Sequence, residues 1–525
     1  MSIAVGDPKF IIRDAKQLGL YFQDDWKMTR RLTVNLGLRW DKDYDFIGGS
    51  DIANSRTFQE LQATAPFSPL AASLVAKKAS DYNKNFSPRV GLAYDLTGHG
   101  NHVLRAGYGM YYGNTFQNIP LFMEQQSNAT IFQTAFAISG SDPVPGVASC
   151  GSPAVSPCTL NVWRFGKDPL PTIPPPTAAL NAGATGRIMD PNYRNPVTEE
   201  WNAGYAWSLT SKSVIEAEYV HVLSLHENKT INVDPRIPVT PNNITTLSRN
   251  GKPGGFYRPL DAAFASAGVP VLGSVRNEES IGRSRYDGMN ISYRQRGFHK
   301  VDLLANYTLA RAVGYDQAGG SFRNYPRDPQ NPLTPFEFGP AFNDERHHVT
   351  IAGTVNLPWG MAFSPILQAG SARPYLATSS NNMLNLSGGS SGGALIVTNS
   401  NPNDLLSATK LTPLVDSVSG KPSLGLAEAV CYYSSNCHVV PYNSLRGDPY
   451  FNMDVRLAKN IKLGEGRNLQ LAWQAFNLFN HANYGNNFDN VVQDSTFGKA
   501  IGFINPTSSL LPRAFTAEFG ARFTF

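Results

Sequence analysis

Between Leu32 and Asp41 apolar and polar side chains alternate without a break. Leu32, Val34, Leu36, Leu38 and Trp40 share one parity, and Thr33, Asn35, Gly37, Arg39 and Asp41 the other. Successive side chains of a strand point to opposite faces, so the run has one apolar face and one wet face. Its length, about ten residues, suits a tilted strand crossing a bilayer core. The pattern recurs. Val90, Leu92 and Tyr94 alternate with Arg89, Gly91 and Asp95, and Leu104 to Tyr112 alternate with Arg105, Gly107, Gly109 and Tyr111. Trp201, Ala203, Tyr205 and Trp207 alternate with Asn202, Gly204 and Ser208. Met289, Ile291 and Tyr293 do so with Asn290, Ser292 and Arg294, and Met453, Val455 and Leu457 with Asp454 and Arg456. About thirteen strands are predicted: 17–27, 31–43, 87–96, 102–112, 199–210, 213–224, 285–297, 300–312, 346–357, 360–370, 448–461, 467–478 and 513–525.

The connections alternate as regularly as the side chains. Short turns at 27–30, 97–101, 211–212, 298–299, 358–359 and 462–466 join strands in pairs. Long stretches rich in Pro, Gly, Asn and Ser, near 44–86, 113–198, 225–284, 313–345, 371–447 and 479–512, separate the pairs and read as structureless loops. Soluble domains seldom hold even one such loop. Barrels of the bacterial outer membrane have this asymmetry, with short turns on the periplasmic side and long loops outside. The final segment agrees: Phe515, Ala517, Phe519, Ala521, Phe523 and Phe525 form one face, and Thr516, Glu518, Gly520, Arg522 and Thr524 the other. A lipid-facing strip backed by a wet lumenal face requires this arrangement. The fold class is therefore all-β, a transmembrane antiparallel barrel, read as one domain over 1–525.

Composition narrows the class further. Only 16% of residues are charged, and Gly and Pro number 46 and 37. No apolar run reaches the length of about 18 residues that a helical span needs. The net charge of +5 is spread along the chain without basic blocks, which argues against nucleic acid as a partner. Four cysteines form two close pairs, Cys150 with Cys158 and Cys431 with Cys437, inside long stretches, and read as loop-closing disulfides in an oxidising exterior. Cys-x-x-Cys zinc spacing is missing. The first residues, Met1 to Pro8, have neither the apolar core nor the cleavage site of a secretory signal.

Motifs of catalysis fare poorly. Gly388 to Gly392 fits Gly-x-Ser-x-Gly but lies in a Gly/Ser-rich loop instead of a strand-to-helix elbow, and Ser407 to Lys410 fits Ser-x-x-Lys without its companion motifs. Gly107 and Gly109 lack the third glycine and the helix of a dinucleotide site, and read as small lumenal residues that leave room. His347 and His348 fall on opposite faces of a strand, so one metal ion cannot easily take both. Trp26, Trp40, Trp201, Trp207 and Trp359, at strand ends, suit an aromatic girdle at headgroup depth. Arg39, Arg89, Arg105, Arg294, Asp454, Arg456, Glu518 and Arg522 take the lumenal parity, where they face solute, a plug, or each other.

The run Leu20-Tyr21-Phe22-Gln23-Asp24-Asp25-Trp26, followed by Leu32-Thr33-Val34-Asn35-Leu36-Gly37-Leu38-Arg39-Trp40, resembles the barrel of TonB-dependent receptors. So do Asn85 to Gly91, Asn195 to Trp201, Asn343 to His348, and Phe476-Asn477-Leu478-Phe479-Asn480-His481. The resemblance runs from residue 17 to 525 and is nearest to the Oar-like subgroup, whose members often carry a carboxypeptidase-regulatory-like domain in front. It implies energy-coupled transport of an unidentified solute, with no catalysis, cofactor or metal. The implied partners are outer-membrane lipid, the barrel-assembly machinery, and the TonB complex acting through a plug. Family barrels have 22 strands, so counting back from Phe525 makes 18–27 about the tenth. The expectation is a C-terminal portion of about 13 strands, with plug, signal peptide and preceding strands absent. The last strand resembles an assembly signal, carried by Phe519, Phe523 and Phe525. A passive or adhesive barrel, with loops that bind ligands or surfaces, is the alternative reading.

Overall fold

A computed structural model describes the chain apart from residues 1, 6–14, 116–118, 121–132, 137–140, 142, 145, 172–184, 240–254, 299, 316–325, 379–396, 399–411, 417–419, 434–437, 465, 493 and 505–513. One sheet dominates. Its strands are β1 (Lys16–Lys27), β2 (Leu32–Tyr44), β3 (Asn85–Asp95), β4 (His102–Tyr112) and β5 (Val197–Thr210). There follow β6 (Ser213–Asn232), β7 (Ser274–Phe298), β8 (Val301–Gly314), β9 (His347–Leu357) and β10 (Met361–Gly370). Last come β11 (Tyr450–Gly464), β12 (Arg467–Phe476) and β13 (Thr516–Thr524). Each pairs with its neighbour in chain order. Among the described residues β1 pairs only with β2 and β13 only with β12, so the sheet has two edges.

Register turns the alternation of each strand into two continuous faces. Leu20 lies opposite Trp40, Phe22 opposite Leu38, Leu36 opposite Val90, and Leu92 opposite Ala106. A slip of one residue would exchange the two sets, so wherever lipid covers one face the register is strongly specified. The apolar rows are not buried within the chain: Phe22 is 71% exposed and Leu38 50%. Hydrocarbon is the environment in which such a surface is stable.

Two strands outrun their predicted ends. β6 and β7 continue past the expected 213–224 and 285–297, and the extensions pair with each other, Asn232 with Arg276 and Thr230 with Glu278. Residues Thr185–Met189 add in parallel to Ser274–Glu278. In these extensions Lys229, Thr230, Ile231 and Asn232 are all buried, so neither face is reserved for water and no alternation marks them.

The long stretches also carry helices where structureless loops were expected. They are α1 (Gly49–Ala53), α2 (Arg56–Thr64), α3 (Pro69–Leu74), α4 (Asp261–Ala267) and α5 (Leu424–Tyr433). Ser55 accepts a hydrogen bond from Phe58 N–H to start α2. Ser68 does the same from Ala71 N–H, with Pro69 at the first helical position of α3.

The two faces make a direct prediction for β9. Ile351 takes the apolar parity and Thr350 the polar one. Ile351→Arg should cost about 2–4 kcal/mol at the bilayer midplane, and Thr350→Arg much less. Urea titration of the chain folded in phosphatidylcholine vesicles, followed by tryptophan fluorescence, measures both. Equal costs would contradict the assignment of faces.

Candidate functional site

The register places all eight candidate charges on one face. Arg39 lies opposite Ser87, Arg89 opposite Gly37 and Gly109, and Arg105 opposite Ala93 and Gly204. Further along, Arg294 lies opposite Val214, Asp454 opposite Ile366, and Arg456 opposite Ser364 and Gln474. Glu518 and Arg522 lie opposite Gln474 and Gln470. They do not converge, being spread over β2, β3, β4, β7, β11 and β13. Their contacts are local. Arg39 donates from Nε and Nη2 to both carboxylate oxygens of Asp41, at 2.8 and 2.7 Å. Asp454 accepts from Asn452 Nδ2 (3.0 Å) and the Asn477 backbone N–H (2.8 Å), and Arg456 donates to Gln470 Oε1 (2.9 Å).

One part of this face is hollowed. A depression of 290 Å³ runs across β1 to β5, floored by Gly37, Gly91, Gly107 and Gly109 and walled by Gln23, Asn35, Arg89, Tyr111 and Asn202. At two of these positions a neighbouring side-chain tip occupies the space a Cβ would take. A Cβ on Gly107 would meet Asn202 Oδ1 at 2.7 Å, and one on Gly109 would meet the Tyr111 hydroxyl at 2.7 Å. The Arg89 guanidinium lies 4.7 Å from the Tyr111 ring centroid, and Asn202 donates to Glu218 Oε1 at 3.1 Å. The hollow is therefore lined by amide groups and by the Arg89 guanidinium, groups that suit a polar solute.

Beyond the loop ends of the strands the connections fold into a roof. Leu61, Ala71 and Leu74 from the β2–β3 connection pack with Ile188, with Leu260, Phe264 and Leu272 from the β6–β7 connection, and with Val275 of β7. Beside this core Arg187 and Glu278 form an ion pair at 3.0 Å, each side chain 2% exposed, and Glu278 also accepts from Asn228 and Thr230. A second buried pair joins Arg327 and Glu337 at 3.2 Å, and Arg327 reaches on to the Val440 carbonyl at 2.9 Å. Removing one member of such a pair leaves an uncompensated buried charge, typically costing about 3–5 kcal/mol. Cys150 and Cys158 are bridged, at 2.05 Å, within a small cluster of Val144, Val147 and Trp163. Cys431 is also disulfide-bonded, and its expected partner Cys437 lies outside the described residues.

His347 and His348 point to opposite faces. His347 meets the Tyr307 hydroxyl at 2.8 Å, whereas His348 meets Glu345 and Tyr450 at 2.7 and 2.8 Å. No group of three metal-ligating side chains occurs among the described residues. The Gly388–Gly392 and Ser407–Lys410 motifs lie outside the described residues, and Gly107 and Gly109 sit within β4.

Roof stability carries a pH dependence at Asp234. Its Oδ1 accepts the Leu260 N–H at 2.8 Å, just before α4, and its backbone carbonyl accepts from Arg258. Burial pushes its carboxyl up to about 6, against the pull of the Leu260 N–H and Arg258. A carboxyl raised on folding stabilises the folded state fully at pH below its unfolded value, near 3.8. That contribution is lost as pH rises through about 6. Amide-exchange protection of α4, corrected for intrinsic exchange, should fall between these limits, and the fall should shrink in Asp234→Asn, the remainder coming from Glu60, Glu278 and Glu279, whose carboxyls burial also raises. Equal profiles would exclude Asp234 as a source.

Solved structures align with 97% of the chain at low identity. The outer membrane transporter YddB from Escherichia coli aligns at 12% identity with a TM-score of 0.46, over 44% of its own length. The siderophore receptor PirA from Acinetobacter baumannii aligns at 10% with a TM-score of 0.43, over 46% of its length. The ferric enterobactin receptor of Pseudomonas aeruginosa gives 10% and 0.43, over 45%. The chain thus spans less than half the length of these structures. No curated protein matches the sequence. The outer membrane beta barrel domain matches residues 6–513, nearly the whole chain, and the protein belongs to that family and to the bacterial outer membrane.

Proposed function

We propose that this chain forms wall and roof of an Oar-like, TonB-dependent transporter that moves a solute across the outer membrane without catalysing a reaction. The observation that carries the reading is the polar face, which continues across the thirteen strands that pair in chain order. A barrel interior with only a structural duty is filled by packed side chains, as in small barrels. Here the corresponding face carries charges, amides and a glycine-floored hollow, which suit a wet path. The roof supplies a shaped surface at the outer entrance, where solute is first held. Energy enters through a plug pulled by the TonB complex, with the lumenal charges facing plug or solute.

Growth and uptake tests address this reading. A strain lacking the gene should lose use of glycans, peptides or metal chelates supplied as defined pools. A strain lacking the energy-coupling protein should show the same loss. Uptake that persists without the coupling protein would instead favour a passive barrel.

Assembly follows from the outward row of β13. Phe519 is 86% exposed and Phe525 93%, and the Phe523 and Phe525 rings stack at 5.9 Å. In this reading the barrel-assembly machinery recognises the row. Phe525→Ala should lower the amount of chain in the outer-membrane fraction several-fold, read by quantitative immunoblot. Wild-type levels would remove the row from that role.

A further inference from the structure

The apolar face is not apolar to its end. At the loop end of β7, and at His221 and Arg311 beside it, the outward parity turns charged, while Leu223 and Val313 opposite Arg285 stay apolar. Below the change lie Tyr219 and Ala217 on β6, Met289 and Ile291 on β7, and Leu309 and Tyr307 on β8. Above it lie His221, then Asp287 and Arg285, and Arg311, with Arg283 one step further along β7. Asp287 pairs in register with both His221 and Arg311. Its Oδ1 accepts from the Tyr219 hydroxyl and meets His221 Nδ1, each at 2.7 Å, and its Oδ2 forms an ion pair with Arg285, 3.0 Å from Nε.

Asp287 thus pairs with Arg285 and stands opposite Arg311 in register, with Arg283 four residues further along β7. The next carboxylate on this face, Glu199, is two strands from Arg285, since both lie opposite Leu223. The Arg285 side chain is 46% exposed and faces Asp287 with Nε, which leaves its terminal amino groups turned to the surroundings. Arg283 is held by rings, its guanidinium 5.7 Å from the Tyr315 centroid and 5.8 Å from that of Phe338.

Depth is fixed by a separate feature. Trp201 stacks on His221 at 5.0 Å and meets Tyr219 at 5.2 Å, and Tyr307 bonds His347. Such amphipathic rings settle at the headgroup level. From Tyr293 to Arg285 a strand runs about 27 Å and, tilted by about 40°, rises about 20 Å across the membrane, which brings the arginines toward the outer edge of the hydrocarbon. An arginine facing lipid costs about 2–4 kcal/mol at the midplane and close to nothing near the interface. At that depth the anionic group within reach is a phosphate, for which the planar, bidentate guanidinium is suited.

We infer that Arg285 and Arg311, with Arg283 beside them, bind the phosphate of an anionic outer-leaflet lipid, one whose phosphate charge is not neutralised by its own headgroup, against the outward face of β6 to β8. Asp287, clamped by Tyr219 and His221, holds Arg285 in place and keeps the arginines from repelling one another. The site depends on the placement of the chain in the membrane and not on what the barrel transports.

Arginine labelling tests it on the unaltered full chain. Phenylglyoxal modification, read by mass spectrometry, is compared in pure phosphatidylcholine vesicles and in vesicles containing phosphatidic acid. Arg285 and Arg311 should react about tenfold more slowly with phosphatidic acid present, as charge-assisted bidentate contacts predict. Arg39, on the opposite face, should react equally in both. Inorganic phosphate added to the pure vesicles should give no protection. Unprotected arginines, or equal protection by free phosphate, would overturn a lipid site. The double variant Arg285→Gln/Arg311→Gln, checked for strand content by circular dichroism, should also lose phosphatidic acid retained through purification. Retention at the wild-type level would overturn the assignment as well.

Discussion

Everything in this fold depends on one requirement, that a backbone N–H or C=O in hydrocarbon must be bonded to another backbone group. A strand meets it only through its neighbours, so the spanning part of the chain is a succession of antiparallel pairs in sequence order. Pairing of this kind transmits parity from strand to strand. Once Leu20 stands against Trp40, the face taken by Glu518, many strands away, is settled as well. The polar face, with its hollow under Arg89 and Asn202, and the apolar face, with its exposed phenylalanines, are two consequences of the same register.

Outside the hydrocarbon the requirement relaxes and a different physics takes over. Water returns as a bonding partner, and protein can cover both faces of a strand. There β6 and β7 lengthen, a short strand joins in parallel, and helices from two connections share a core built on Leu61 and Phe264. Burial at this level brings charges with it. Arg187 and Glu278 are each nearly inaccessible, and desolvation offsets much of their attraction. Their effect is on arrangement, because neither can leave without exposing the other to a site that cannot solvate it. Arg327 acts similarly, binding Glu337 and the carbonyl of Val440, more than a hundred residues further along the chain. Loops tied in this way form a shaped roof.

Between these regimes lies the band where lipid headgroups meet the wall. Trp201, Tyr219 and His221 lie together there, and the outward parity passes from Met289 and Ile291 to Asp287 and Arg285 within a few residues of β7. The chain marks its own depth in the membrane by where ionised side chains become affordable on the outward face.

The sequence by itself determined the spanning wall. Alternation in Leu32–Tyr44 or His102–Tyr112 is read directly, because lipid on one side and water on the other impose period two on every residue. It also determined that Arg39, Asp454 and Arg522 share a face, since parity needs only counting. The extent of β6 and β7, the pairing of Thr185–Met189 with Ser274–Glu278, and the partnership of Arg187 with Glu278 were decided by tertiary structure. Those segments are covered on both sides by distant parts of the chain, so no local period survives to announce them. Local helix signals were present, in Ser55 and in Ser68 before Pro69, but they lay in stretches whose composition reads as loop. The hollow falls between the two. Its glycines stand in plain sight in the sequence, yet that Asn202 and Tyr111 lie across them follows from which strands are neighbours and at what register.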